Sequence, residues 1–104
     1  MGSKVRQNIV EILYFYKTLH GYEIYKVHKA LFPAVSMRLI YYHLKKGTIT
    51  KEFKIHSITK REGPHSWGDD AENVIYELGS LAKPMIEPRV KLYMENHEKA
   101  NVSA

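Results

Sequence analysis

Arg38, Tyr42 and Lys46 recur every four residues, so they form one ridge on any helix that contains them. A guanidinium, a phenol and an ammonium group on one exposed face suit contact with a phosphate backbone, and an arginine near a helix start can also reach a base edge. Lys45 and Lys51 add point charges that suit phosphate more than sequence readout. A solvated basic face is the alternative interpretation of the same pattern.

The helix that must carry this ridge is predicted between Ser36 and Gly47. Ser36 is a favourable N-cap and a further candidate contact to DNA, and Gly47 is a typical residue just past a helix end. The opposite side of the helix has the i, i+3, i+4, i+7 spacing of a buried stripe. The residues of that stripe are Met37, Ile40, Tyr41 and Leu44.

The net charge of the chain is +5 over 104 residues, and it is unevenly distributed. Residues 36–61 contain seven basic side chains and one acidic one, whereas the other 78 residues contain nine basic and ten acidic side chains. The excess positive charge therefore lies in one quarter of the chain. Such localisation indicates a surface that binds a polyanion.

Composition limits the class of protein. The length predicts one small domain, and 44% apolar residues predict a globular core. The absence of cysteine excludes disulfides, thiol catalysis and cysteine-based zinc sites, and it fits a cytoplasmic protein. The six histidines show neither HxxxH nor HExxH spacing, so neither a metal nor another cofactor is expected. No apolar run is as long as a membrane span, and no signal peptide is visible.

Two further helices are predicted before Ser36. Helical periodicity runs from Lys4 to about Leu19, and a second helix is predicted from Tyr22 to Phe32, with His20-Gly21 as the break between them. Pro33 ends the second helix because the residue before a proline avoids helical dihedrals. The short connection to Ser36 predicts a helix-turn-helix whose second member is the recognition helix.

After Gly47 the periodicity changes from helical to alternating. Residues 52–59 and 73–78 each alternate as strands do, and turn-forming residues fill the segment 60–70. We therefore predict an α+β fold, a winged helix-turn-helix of three helices and a two-stranded wing, followed by a C-terminal helix. Lys60, Arg61 and His65 would lie at the wing tip and contact the adjacent groove or backbone. Trp67 is interpreted as a staple between loop and strands, with stacking on nucleic acid as the alternative.

The tail is predicted to be a separate element. Residues 1–82 would form the winged-helix domain, and residues 83–104 would contain a helix from Pro88 to about Lys99. That helix could cover its own core or pair with the first helix of a second copy, because Val10 and Tyr14 lie off the main stripe of the first helix. We favour dimerisation. The tail residues assigned to it are Val90, Tyr93, Met94 and His97.

Several short motifs resemble those of a known family. The segment HGYEI at 20–24 is similar to the corresponding segment of PadR-type winged-helix regulators. The segments YHLKKG at 42–47, SWG at 66–68 and YELG at 76–79 resemble small PadR-like proteins of archaea. The resemblance covers residues 5–84 and implies binding to double-stranded DNA as a dimer, in transcription control or chromatin association. The tail is too short for the ligand-binding region of larger members, so no small-molecule ligand is expected.

Together these features predict a double-stranded DNA-binding protein, a transcriptional regulator that acts as a homodimer. The alternatives are a non-specific architectural or chromatin binder, and a winged-helix module that binds protein or RNA. An enzyme is not expected. Asp69, Asp70 and Glu72 could act as acids or bases, but no nucleophile–base pair, phosphate-binding glycine loop or metal set accompanies them.

Overall fold

The computed structural model describes residues 4–58 and 74–102, with the backbone alone for residues 98–102. Within these residues the chain forms an α+β fold of four helices and a three-stranded antiparallel sheet. No helix in the described ranges has the length and apolar character needed to cross a membrane. The elements in chain order are α1 (Lys4–Tyr16), β1 (Leu19–His20), α2 (Gly21–Leu31), α3 (Met37–Ile49), β2 (Phe53–Ile58), β3 (Val74–Leu78) and α4 (Pro88–Val102).

One apolar core joins these elements. Ile9 from α1, Ile24 from α2, Ile40 from α3 and Phe53 from β2 are all fully buried in it. Each such side chain contributes roughly 1.5–3 kcal/mol of transfer free energy when it leaves water. The buried stripe predicted for α3 is confirmed, since Ile40 and Leu44 are inaccessible to solvent and the other two members are half-buried.

Helix α1 ends earlier than its periodicity predicts. Lys17 adopts a left-handed conformation (φ 73°), and its N–H donates to the carbonyl oxygen of Leu13 at 2.9 Å. The predicted continuation of the helix to Leu19 is therefore wrong. Leu19 and His20 instead form the short strand β1, which pairs with the central strand β3.

Two glycines that were predicted to break or end helices lie inside helices. Gly21 is the first residue of α2, and its Cα packs against the ring of Tyr41. Gly47 lies within α3, which continues to Ile49, and a Cβ at Gly47 would overlap the ring of Phe53. The prediction that Gly47 ends the helix is wrong, because the close approach of Phe53 and not a helix terminus requires a glycine there.

Strand β2 departs from the simple alternation of its sequence. A β-bulge between Ile55 and Ser57 interrupts its register with β3, so the two residues are not equivalent in the sheet. Of the six residues of β2, only Phe53 is buried. Strand β2 is an edge strand, because the order of the sheet is β1-β3-β2.

Helix α4 packs on α1 of the same chain. Val10 and Val90, which were predicted to contact a second copy, are both fully buried inside the single chain. The expectation that these two residues contact a second copy is wrong, because α4 of the same chain covers the second apolar side of α1.

A buried carboxylate fixes the segment that leads into α4. Glu11 is buried in α1, and its two oxygens accept hydrogen bonds from the backbone N–H of Met85 (2.7 Å) and of Glu87 (3.1 Å). The amide of Gln7 donates to Glu11 at 2.6 Å. These bonds hold Ile86 at a φ of 64°, a strained value for a β-branched residue.

Candidate nucleic-acid interface

The predicted basic ridge of α3 faces solvent. Arg38, Tyr42, Lys45 and Lys46 are all exposed, and Tyr42 retains about half of its accessible surface (51%). The opposite side of the same helix is packed into the core, so the helix cannot rotate to hide these side chains. The exposure predicted for the ridge is confirmed.

The start of α3 is fixed by its cap. The Oγ of Ser36 accepts a hydrogen bond from the backbone N–H of Leu39 at 3.1 Å, which confirms Ser36 as the N-cap. The hydroxyl hydrogen of Ser36 is not used by this bond and can donate to an acceptor outside the chain. Ser36 therefore keeps its predicted place at the same end of α3 as Arg38.

The turn between α3 and β2 holds Lys51 in an unusual conformation. Lys51 is exposed and has a φ of 69°, and its carbonyl oxygen accepts from the backbone N–H of Leu81 at 2.9 Å. Gly79 lies directly against this carbonyl, and a Cβ on Gly79 would overlap it. The backbone that carries Lys51 is therefore fixed from both sides.

The cations of this region lack acidic partners in the described part of the chain. The ion pairs among the described residues join other side chains, and none includes a lysine or an arginine of α3, of the turn that follows it or of β2. We call these five exposed residues the cationic surface. They are Arg38, Lys45, Lys46, Lys51 and Lys54.

A partly buried polar cluster joins α1, α3 and the turn before β2. Arg6 of α1 donates from Nε to Nδ1 of His43 at 3.4 Å and from a terminal nitrogen to Oε1 of Glu52 at 3.3 Å. The hydroxyl of Thr50 donates to the same Glu52 oxygen at 2.6 Å. Burial lowers the pKa of His43, the charge of Arg6 lowers it further, and the charge of Glu52 opposes both effects. His43 is thus held as the neutral imidazole.

The sheet adds a mixed charge pattern beside this surface. Lys54 and Glu77 face each other across the β2–β3 ladder, and the imidazole of His56 lies 3.4 Å from the Glu77 carboxylate. Both His56 and Glu77 retain solvent access.

The predicted wing-tip contacts cannot be compared with the structure. Lys60, Arg61, His65 and Trp67 lie outside the described residues, as do the acidic residues of the same segment. Their roles remain predictions from the sequence.

The residues predicted for dimerisation differ in how far they are exposed. Val10 and Val90 belong to the core of the single chain, as described above, whereas Tyr14, Tyr93 and Met94 are half-buried. His97 is exposed, and its ring packs on Tyr93 with 4.0 Å between ring centroids. The sequence did not single out Leu92, Met85 or Ile86, which are the more exposed apolar side chains of this region.

Helix α2 presents further cations that the sequence interpretation missed. The ammonium of Lys26 lies 5.4 Å from the ring centroid of Tyr22, and that of Lys29 lies 5.9 Å from that of Tyr25. Each lysine follows its tyrosine by four residues, and this spacing on a helix could have predicted both contacts from the sequence. The segment was passed over because its net charge is low. Because Gly21 packs on Tyr41, the first turn of α2 and its exposed Tyr22 lie across the middle of α3.

The histidine in the core is part of the packing and not of an exposed site. His28 is buried, its Nε2 lies 3.2 Å from the Asn8 amide nitrogen, and its ring packs against Phe32. Burial lowers the pKa of His28. Within the part of the chain that the structure describes, no group of three His, Asp or Glu side chains lies close enough together to hold a metal ion.

Comparisons with known protein families, with curated proteins and with solved structures found no significant match to this chain.

Proposed function

We propose that this protein binds double-stranded DNA as a winged helix, with α3 in the major groove and the β2–β3 wing against the flanking backbone. The observation that carries the proposal is the cationic surface, whose five members are exposed and form no ion pair with any described residue. Cations that form no ion pair within the described ranges 4–58 and 74–97 can pair with phosphates without first breaking an ion pair there. The order of α1, α2, α3 and two paired strands, and the short motifs similar to PadR-type regulators, also support this proposal.

The side chains have different roles in this proposal. Arg38 lies in the first turn of α3, the end of a recognition helix that contacts base edges. Tyr42 donates to a phosphate or packs on a sugar, and the four lysines contact phosphates as point charges. Arg38 therefore supplies sequence discrimination, and the lysines supply affinity.

We further propose that the protein acts as a homodimer and regulates transcription. Exposed apolar side chains next to α4 support an interface between two copies, with Leu92 at 61% and Met85 at 79% exposure. Two recognition helices related by a two-fold axis would contact half-sites about 34 Å apart.

The prevalence of lysine favours a second candidate, an architectural protein with little sequence preference. Four of the five members of the cationic surface are lysines, which add affinity without reading bases. Selection of bound sequences from random duplexes separates the candidates. One enriched palindrome indicates a regulator, and no enrichment indicates an architectural protein.

The test of DNA binding is the dependence of affinity on salt, measured by fluorescence anisotropy with a labelled duplex. With three to five phosphate contacts, the slope of log K against log salt concentration should be about −3 to −4.5. An affinity that does not change with ionic strength would contradict the electrostatic mechanism. Competition between the duplex and a structured RNA tests the alternative of an RNA-binding module. If neither nucleic acid binds, a search for protein partners tests the alternative of a protein-binding module.

A further inference from the structure

The Arg6–His43–Glu52 cluster connects three parts of the fold on which the cationic surface depends. Arg6 is on α1, His43 is on α3 and Glu52 is in the turn before β2. His43 follows Tyr42 directly, and the two rings pack edge to face with centroids 5.1 Å apart. Glu52 follows Lys51 directly, and its N–H donates to the carbonyl oxygen of Gly47 at 2.8 Å. The cluster thus contains the residue that follows Tyr42 and the residue that follows Lys51.

The cluster requires a neutral imidazole. The Nδ1 of His43 accepts from Arg6, so it carries no proton, and His43 is only 7% exposed. The charged and titratable groups that face it include Arg6 from α1, Glu52 from the turn and Tyr42 on its own helix. Protonation of Nδ1 would remove the acceptor and place a second positive charge against the guanidinium.

We propose that Arg6 and Glu52 are positioning residues for Tyr42 and Lys51 in the DNA contact, and that protonation of His43 disrupts this arrangement and weakens DNA binding in acid. The inference depends on the proposed function. The predicted direction of the pH effect, weaker DNA binding in acid, is the opposite of what a general gain of positive charge would cause. Positive charge gained by the protein as the pH falls would by itself strengthen binding to a polyanion.

The first experiment compares duplex affinity at pH 7.5 and pH 5.5 at constant ionic strength, with circular dichroism to show that the protein is folded at both. We expect binding several-fold weaker at pH 5.5 than at pH 7.5. His43→Gln keeps an acceptor for Arg6 that does not titrate in this range, so the ratio of its affinities at the two pH values should lose the weakening in acid. Tighter wild-type binding at pH 5.5, or a His43→Gln variant that still weakens, would overturn the inference.

The second experiment separates position from charge at pH 7.5. Arg6→Met and Arg6→Lys should both weaken binding about three- to tenfold. Methionine donates to neither partner, and lysine keeps the charge but lacks the planar guanidinium that donates to both His43 and Glu52. Lys4→Gln, which removes an exposed charge from the same helix, is the control and should change affinity less. If Arg6→Lys binds as wild type, the guanidinium does not position the surface.

The two proposals fail in different ways. Salt-dependent binding at pH 7.5 without the expected effects of pH and of Arg6 would overturn the positioning inference alone. Absence of binding to duplex DNA at either pH would overturn both the inference and the proposed function.

Discussion

The ring of Phe53 packs directly on the Cα of Gly47, with no room for a side chain between the last turns of α3 and the first residue of β2. This contact sets the angle at which the chain leaves α3, and so the position of Lys51 relative to the basic ridge.

Gly47→Ala should therefore destabilise the fold. Alanine gains about 1 kcal/mol of helix propensity over glycine, but overpacking a buried contact costs about 1–3 kcal/mol, and the new Cβ would overlap an aromatic ring. We expect a net loss of about 1 kcal/mol or more in the free energy of unfolding, measured by urea denaturation. Adding Phe53→Leu should recover part of the loss, whereas a stabilised Gly47→Ala protein would show that the glycine only weakens the helix.

Replacement of the buried Glu11 by glutamine should loosen α4. Glutamine has one acceptor oxygen for the two backbone N–H groups that Glu11 now binds, so one of them loses a charge-assisted partner at a cost of about 1.5–3 kcal/mol. Denaturant titration and hydrogen exchange of the Met85 and Glu87 amides measure the effect. Glu95→Gln on the exposed face of α4 is the control and should stay within about 0.5 kcal/mol of wild type.

Stability should decrease as the pH falls below about 6.5, the unperturbed pKa of histidine. Burial lowers the pKa of His28 and of His43 in the folded protein, so the unfolded chain binds more protons in this range and the free energy of unfolding rises with pH. Urea denaturation at several pH values between 5 and 8 tests the sign. His28→Gln should flatten the dependence, and a flat wild-type profile would show that neither imidazole is held neutral.

Substitutions in the cationic surface should separate affinity from specificity. Arg38→Ala should cost about 1–3 kcal/mol on the preferred duplex and reduce discrimination between sequences, whereas Lys46→Ala should weaken all duplexes alike and reduce the salt slope by about 1. Lys91→Ala, an exposed lysine of α4, is the matched control. Equal losses for Lys46→Ala and Lys91→Ala would indicate a general charge effect.

The proposed dimer is tested at Leu92, which is exposed on α4. Leu92→Lys should shift the protein to a monomer in analytical ultracentrifugation and lower the affinity for a palindromic duplex more than for a half-site. Ile58→Lys, the same change at a similarly exposed apolar residue of β2, is the control and should leave the oligomeric state unchanged. A wild-type protein that is monomeric at all concentrations would contradict the dimer.

The sequence predicted the elements that depend on local periodicity. The exposed ridge and buried stripe of α3, the cap at Ser36 and the start of α4 at Pro88 agree with the structure, because helical spacing and caps involve residues within one or two turns of each other. Strand β1 was missed because two residues carry no alternation, and only pairing with β3 makes them a strand.

The sequence by itself determined where the apolar and basic side chains would recur along each helix, and that the excess charge falls in residues 36–61. Only the tertiary structure decided what covers each apolar face. Val10 and Val90 meet in one core, and Glu11 binds the backbone of Met85, 74 residues away. The physical reason is that periodicity specifies the direction of a side chain within its own element, whereas its partner depends on how distant elements pack.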